Sequence, residues 1–105
     1  MKTSQAVLSL AALAQETRLS IYRALVQAGP GGLAAGKIAE EVGAPASTLS
    51  FHLKELAGAG LVRARQEGRF VIYTADFAAM NELMDFLTEK CCSGSACQPR
   101  TRSAA

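Results

Sequence analysis

The run GKIAEEVGAPASTLSFHLKELAGAGLV, residues 36–62, limits the possible folds more than any other part of the chain. Two stretches with helical spacing of apolar residues flank a Gly-Ala-Pro break. The first is predicted as a helix over Lys37–Val42, with Ile38, Ala39 and Val42 turned inward. Gly43 stands where a helix ends in the left-handed conformation that glycine adopts without steric cost. The second is predicted over Ala46–Ala57. Pro45 suits its first turn, where a missing N–H loses no hydrogen bond. Leu49, Leu53 and Leu56 recur at i, i+4 and i+7 and form a buried seam, and Gly60 is the predicted C-terminal cap. Two helices separated by so tight a break form a helix-turn-helix.

The flanking segments fill in the rest. SQAVLSLAALAQ reads as a first helix, with Val7, Leu8, Leu10, Ala11 and Leu13 apolar. ETRLSIYRALVQAG reads as a second, with Leu19, Tyr22, Leu25 and Val26 on one face and Gly29-Pro30 as its stop. GPGGLAAG is expected to be a loop. After Gly60 the period changes: Leu61–Arg65 and Phe70–Thr74 are rich in strand formers around Glu67-Gly68 and predict a hairpin. Asp76 is the predicted N-cap of a last helix, FAAMNELMDFLTEK, in which Phe77, Met80, Leu83, Met84 and Leu87 keep helical spacing. Beyond Lys90 the periodicity ends. The expected fold is α+β, mainly helical, with a two-stranded hairpin beside the helix-turn-helix. The expected division is a folded domain over 1–90 and a flexible tail over 91–105.

A chain of 105 residues is one domain of ordinary size. Half its residues are hydrophobic, but many are alanine, so the core is modest and a second copy would help to complete it. Arg18, Arg23, Lys37 and Lys54 interrupt the apolar stretches, which argues against a membrane span. Lys2 and the apolar patch after it resemble a signal peptide, yet the helical spacing continues into TRLSIYRAL, so the segment is expected to belong to the fold. All 3 cysteines lie between residues 90 and 98. That is no disulfide framework, and a reducing cytoplasm is the expected setting. The chain has neither a Cys-x-x-Cys redox motif nor a phosphate-cradling loop, and an enzyme is not expected.

A net charge of +2 is too small to announce a nucleic-acid partner. Its distribution is more informative. Between Pro45 and Phe70 the cations Lys54, Arg63, Arg65 and Arg69 outnumber Glu55 and Glu67, whereas Asp76, Glu82, Asp85 and Glu89 make the following segment wholly acidic. On a helical wheel for Ala46–Ala57, Ser47, Phe51 and Lys54 point away from the leucine seam, with Thr48 close by and Ser50 and His52 on the flanks. Hydroxyls can bond phosphates or base edges, a ring can touch a thymine methyl, and a lysine can meet phosphate or guanine. His52, beside the seam, is expected to pack the helix edge and hydrogen-bond backbone or phosphate. Arg65 and Arg69, with Arg63, would carry cations on the hairpin to the DNA backbone or minor groove.

Together QETRLSIYRAL, ASTLSFHLKELAGAGLV and RQEGRFVIYTAD resemble the ArsR/SmtB family of winged-helix repressors, over roughly Leu8 to Lys90. The resemblance implies a homodimer joined through the first and last helices. It also implies binding to an inverted repeat in double-stranded operator DNA, and release when a metal or metalloid binds. The chain departs from the family where effectors are usually held. Many arsenic-responsive members carry Cys-Val-Cys on the helix before the recognition helix, where this chain has GKIAEEVG. The last helix also lacks the Asp/His pattern of zinc-sensing relatives. What remains is Cys91, Cys92 and Cys97. Thiolates select soft ions, and three of them leave a tetrahedral zinc site one ligand short. Trivalent arsenic accepts three in a pyramid, and antimony should bind similarly. The CC…C tail resembles an arsenic-sensing branch of the family, with Gly94 easing the return of Cys97. No cofactor is expected beyond such an effector. Cadmium, lead and mercury stay open as ligands, and thiol oxidation stays open as an alternative switch.

Overall fold

The computed structural model describes residues 1–94. Five helices and three strands follow one another as α1 (Thr3–Leu13), α2 (Glu16–Ala28), β1 (Leu33–Ala34), α3 (Ala35–Val42), α4 (Ala46–Gly58), β2 (Val62–Glu67), β3 (Phe70–Ala75) and α5 (Phe77–Thr88). Short 3₁₀ turns occupy Gly29–Gly31 and Cys91–Gly94. The core is built where α2, α3 and α4 meet the base of the hairpin. Ile21, Leu25, Ile38, Leu56 and Leu61 are its fully buried members, and Leu49 and Leu53 complete the leucine seam.

The helix-turn-helix forms as its glycines and proline dictate. Gly43 closes α3 at φ +71°, and its N–H donates to the Ala39 carbonyl at 2.8 Å. Pro45 lies just outside α4, in extended conformation at ψ 147°, one residue earlier than the sequence implied. At the far end Gly60 takes φ +79° and donates its N–H to the Ala57 carbonyl, while the Leu61 N–H reaches the Leu56 carbonyl, each at 3.0 Å. These are the paired bonds of a Schellman cap. Leu61 is thereby delivered into the same core as Leu56, and the chain enters β2 directly.

The hairpin pairs Val62 with Ala75 through to Glu67 with Phe70, leaving Gly68 and Arg69 as its loop. Gly68, at φ +61°, holds the first loop position, which a II′ hairpin turn reserves for glycine. A third strand joins on the other side, because Leu33 and Ala34 pair antiparallel with Tyr73 and Ile72. The segment expected to be a plain loop therefore supplies an edge strand, and the sheet order is β1-β3-β2. Gly32 makes the approach possible. It sits at φ +69°, ψ −170°, a region that is essentially glycine-only. A Cβ there would run into the Tyr73 carbonyl oxygen and lie 2.6 Å from Thr74 Cγ2.

The structure settles which sides of the first two helices turn inward, and it alters the α2 face at Leu19 and Ile21. In α1 the inward stripe is Ala6, Ser9 and Ala12, small residues that let the helix lie close to α2 and α4. Val7, Leu8 and Leu10 consequently face outward, with 56%, 59% and 42% of their surface exposed. In α2 the fully buried residue is Ile21 beside Tyr22 and Leu25, and Leu19 is exposed. The last helix begins as expected: Asp76 Oδ1 accepts the Ala79 N–H at 3.0 Å. Leu83 is buried there, but Met84 and Leu87 are exposed. Among the described residues no helix is long and apolar enough to cross a membrane.

Candidate nucleic-acid interface and thiol site

Because Leu49, Leu53 and Leu56 anchor α4 to the core, its opposite face is presented to solvent. Ser47, Thr48, Ser50, Phe51 and Lys54 are all exposed, as their wheel positions predict. Thr48 turns its hydroxyl back to the Pro45 carbonyl at 3.1 Å, so it steadies the start of the helix while remaining at the surface. Phe51 does not pack against a neighbouring helix. It is exposed over 55% of its surface, and its ring meets the His52 ring edge-on with centroids 5.5 Å apart. His52 is half-buried, with Nδ1 enclosed and without a hydrogen-bond partner among the described residues. A proton on Nδ1 would be a buried, unpaired donor, which favours the tautomer that carries its hydrogen on Nε2.

The wing cations differ in availability. Arg65 is braced: its guanidinium donates to the Pro30 and Gly31 carbonyls at 3.4 and 3.0 Å, and to Glu67 Oε2 at 2.7 Å. It ties the hairpin to the turn after α2 and neutralises the carboxylate nearest the tip. Arg63 lies 3.9 Å from Asp76 Oδ2, a loose pair whose arginine is exposed and which contributes little. Arg69, in the hairpin loop itself, is exposed and has no carboxylate partner among the described residues. Of the three it is the most available to an anion. Sequence reasoning passed over Phe70, which follows Arg69 and is exposed over 64% of its surface. Its outward register opposite Glu67 was legible from the strand alternation, but a phenylalanine in a strand reads first as core.

The acidic segment falls on a different part of the fold. Glu82 and Asp85 of α5 and Glu89 just after it border a shallow hollow with Met1 and Phe86. The Tyr22 hydroxyl of α2 is buried with no hydrogen-bond partner among the described residues, and burial, with a smaller push from the Asp76 carboxylate, raises its pKa above the ordinary 10.0.

The helix α5 gives way to the thiols through a left-handed turn, with Lys90, Cys92 and Ser93 at φ between 55° and 57°. Cys91 and Cys92 are exposed, and their sulfurs stand 3.6 Å apart. Two thiolates bound tetrahedrally at ~2.3 Å from one zinc ion would stand about 3.8 Å apart. The pair thus has the span of two donors to a single soft ion. Among the described residues no group of three or more His, Cys, Asp or Glu gathers into a metal site. The third expected donor, Cys97, lies outside the described residues with the rest of the tail.

The geometry agrees with what the chain resembles in sequence and shape. Residues 13–65 match a helix-turn-helix domain family. An uncharacterised helix-turn-helix transcriptional regulator of Methanocaldococcus jannaschii is 33% identical over 78 residues, spanning 74% of this chain and 85% of that protein. An ArsR-like transcriptional regulator from Rhodococcus superposes with a TM-score of 0.75 at 26% identity, over 87% of this chain and 83% of its own. The homodimeric winged helix-turn-helix domain of a possible ArsR-family regulator from Mycobacterium bovis superposes with a TM-score of 0.65 at 29% identity, over 91% and 89% of the two chains. The chain therefore belongs to the helix-turn-helix domain family of transcriptional regulators, in the winged form of the ArsR type.

Proposed function

We propose that the protein is a homodimeric repressor that grips operator DNA through α4 and the wing, and releases it when trivalent arsenic or antimony is held by Cys91, Cys92 and Cys97. The observation that carries the DNA-binding part is the outward face of α4. It presents hydroxyls, one ring and one cation opposite a leucine seam, beside a braced hairpin ending in Arg69. In this reading Ser47, Thr48, Ser50 and Phe51 meet base edges and sugar–phosphate in the major groove. His52 offers its Nε2 hydrogen at the helix flank. Lys54 and Arg69 contact phosphate, and Arg65 chiefly holds the wing in place.

Dimerisation is supported by the apolar surface that one protomer leaves uncovered. Val7, Leu8 and Leu10 of α1 and Met84 and Leu87 of α5 are exposed, and large apolar residues left in water on both helices favour association. The M. bovis neighbour is itself homodimeric. A twofold pair would set two α4 helices about one DNA turn apart, ~34 Å, in successive major grooves.

For release, the contact between Cys91 and Cys92 supports a shared soft-ion site at the end of α5, and α5 is one of the helices expected at the dimer seam. An ion held there would favour one arrangement of the dimer over another. If the favoured arrangement has the wrong spacing of α4 helices, DNA affinity falls by the coupling free energy, typically ~1–3 kcal/mol. Mobility assays on promoter DNA with arsenite, antimonite, zinc and peroxide test the reading: arsenite and antimonite should release the DNA. A repressor indifferent to both would refute the effector assignment and leave DNA binding standing. The same 3.6 Å sulfur contact favours a second reading, in which peroxide oxidises the thiols to a disulfide and is itself reduced to water. Release by peroxide without arsenite would select it.

A further inference from the structure

The chain's 4 phenylalanines divide by location: Phe77 and Phe86 of α5 are half-buried, whereas Phe51 and Phe70 are exposed, and both of these lie on the basic DNA-facing elements. Phe51 has a ready use on α4. Phe70 has none yet. It is the first residue of β3, it carries the largest exposure of any large apolar side chain described, 64%, and it adjoins the Arg69 cation. A phenyl ring held in water at a hairpin tip gains nothing for the fold.

The hairpin around it is stiff. Arg65 is bonded to the Pro30 and Gly31 carbonyls behind it, and Gln66 Nε2 donates to the Gly68 carbonyl at 3.0 Å at the start of the turn. Glu67, directly opposite Phe70, would repel phosphate, but Arg65 neutralises it at 2.7 Å. The tip thus combines rigidity, an available cation, a masked carboxylate and a projecting ring. Proteins that enter the minor groove pair a cation with an apolar wedge, which partly unstacks a base step and kinks the duplex toward the major groove. Pyrimidine–purine steps yield most readily to such a wedge.

We propose that Phe70 is a minor-groove wedge: the wing enters the groove beside the α4 contact with Arg69 on the backbone and the Phe70 ring pressed into a flexible base step, so that the protein bends its operator. The proposal rests on the DNA-binding reading and adds to it a deformation of the DNA, with specificity at positions that no side chain reads by hydrogen bonds.

The test starts from duplexes selected from random-sequence DNA by binding to the wild-type protein. These are placed at permuted positions in a fragment, and the bend is read from gel mobility with wild type, F70A, F70L and R69A. Wild type should bend the DNA by about 20–90°. F70L, which keeps an apolar wedge, should retain most of the bend. F70A should still bind, with unchanged salt dependence because the ring carries no charge, and the bend should largely disappear. R69A should instead flatten the salt dependence. A straight wild-type complex, or an F70A complex bent as strongly as wild type, overturns the wedge while leaving DNA binding intact. A shift of F70A toward monomer in sedimentation would assign the ring to a protein–protein contact and overturn it as well. Should wild type bind no duplex even at low salt, the underlying DNA-binding reading falls first and the wedge with it.

Discussion

Three glycines separate two sources of backbone constraint and allow the packing at the wing base to be tested quantitatively. Gly32 has φ +69°, ψ −170°, and a Cβ there would meet the Tyr73 carbonyl oxygen and two side-chain methyls of β3. Gly29 has nearly the same backbone, φ +76°, ψ −163°, but a Cβ would meet nothing within 4 Å. Gly36, inside α3, has neither problem. A side chain forced into this backbone region costs about 1–3 kcal/mol, and overpacking adds about 1–3 kcal/mol. Gly29→Ala should therefore lose about 1–3 kcal/mol, and Gly32→Ala about 2–6 kcal/mol. Gly36→Ala should gain about 0.5 kcal/mol, because alanine restricts the unfolded chain and favours helix. Domains of this kind have only about 5–15 kcal/mol in total, so Gly32→Ala is a severe change. Urea unfolding followed by circular dichroism reads all three. With a slope of about 1–2 kcal/mol per molar, the Gly32→Ala midpoint should fall by at least about 1 M. A Gly32→Ala midpoint equal to that of Gly29→Ala would mean that β1 does not approach β3 as described, and the third strand would be refuted.

Four further outcomes are expected. Tyr22→Phe removes a buried hydroxyl that has no hydrogen-bond partner among the described residues and should stabilise the fold by about 1 kcal/mol in urea melts at pH 7. Because burial, then Asp76, raises the Tyr22 pKa, the native state holds that proton more tightly than the unfolded chain. Wild-type stability from this group is thus intact below pH 10.0 and declines as pH rises beyond it; a Tyr22→Phe variant that declines equally would refute the assignment. Lys54→Ala and Arg69→Ala should each weaken DNA binding and reduce the slope of log affinity against log salt by about one phosphate's share, whereas unchanged slopes would remove them from the interface. Arg65→Ala should differ in kind, lowering thermal stability as well as affinity, since it breaks the bonds to Pro30 and Gly31; a purely electrostatic loss would contradict its bracing role. Cys91→Ser or Cys92→Ser should give a repressor that stays on DNA in arsenite, and a normal response in either would show that sulfur to be dispensable.

The helix-turn-helix and hairpin were legible because their signals are local. Gly43, Pro45 and Gly60 act within a few residues of themselves, the leucine seam repeats at a fixed interval, and Asp76 caps its own helix. The α4 face followed from the same periodicity, and Phe51 proved exposed as the wheel requires. What escaped depends on neighbours that the spacing does not name. A strand of only Leu33–Ala34 is too short to show alternation and exists because Gly32 lets it approach β3. In α1 the apolar spacing marks a helix but not which side turns inward, and close packing selects Ala6, Ser9 and Ala12 and leaves Val7 and Leu8 outside. Arg65 reads as a free wing cation until its bonds to carbonyls 34 and 35 residues earlier are seen.

The central claim is that occupancy of the thiols is energetically linked to DNA affinity, and fluorescence anisotropy on a selected operator duplex tests it directly. The full chain and a version ending at Glu89 are titrated with and without saturating arsenite, with sedimentation reporting the dimer in each case. The account predicts a loss of affinity of roughly 5- to 150-fold for the full chain and none for the shortened one. Unchanged affinity in the full chain with arsenite bound, or an equal loss in a dimeric shortened chain, would contradict it.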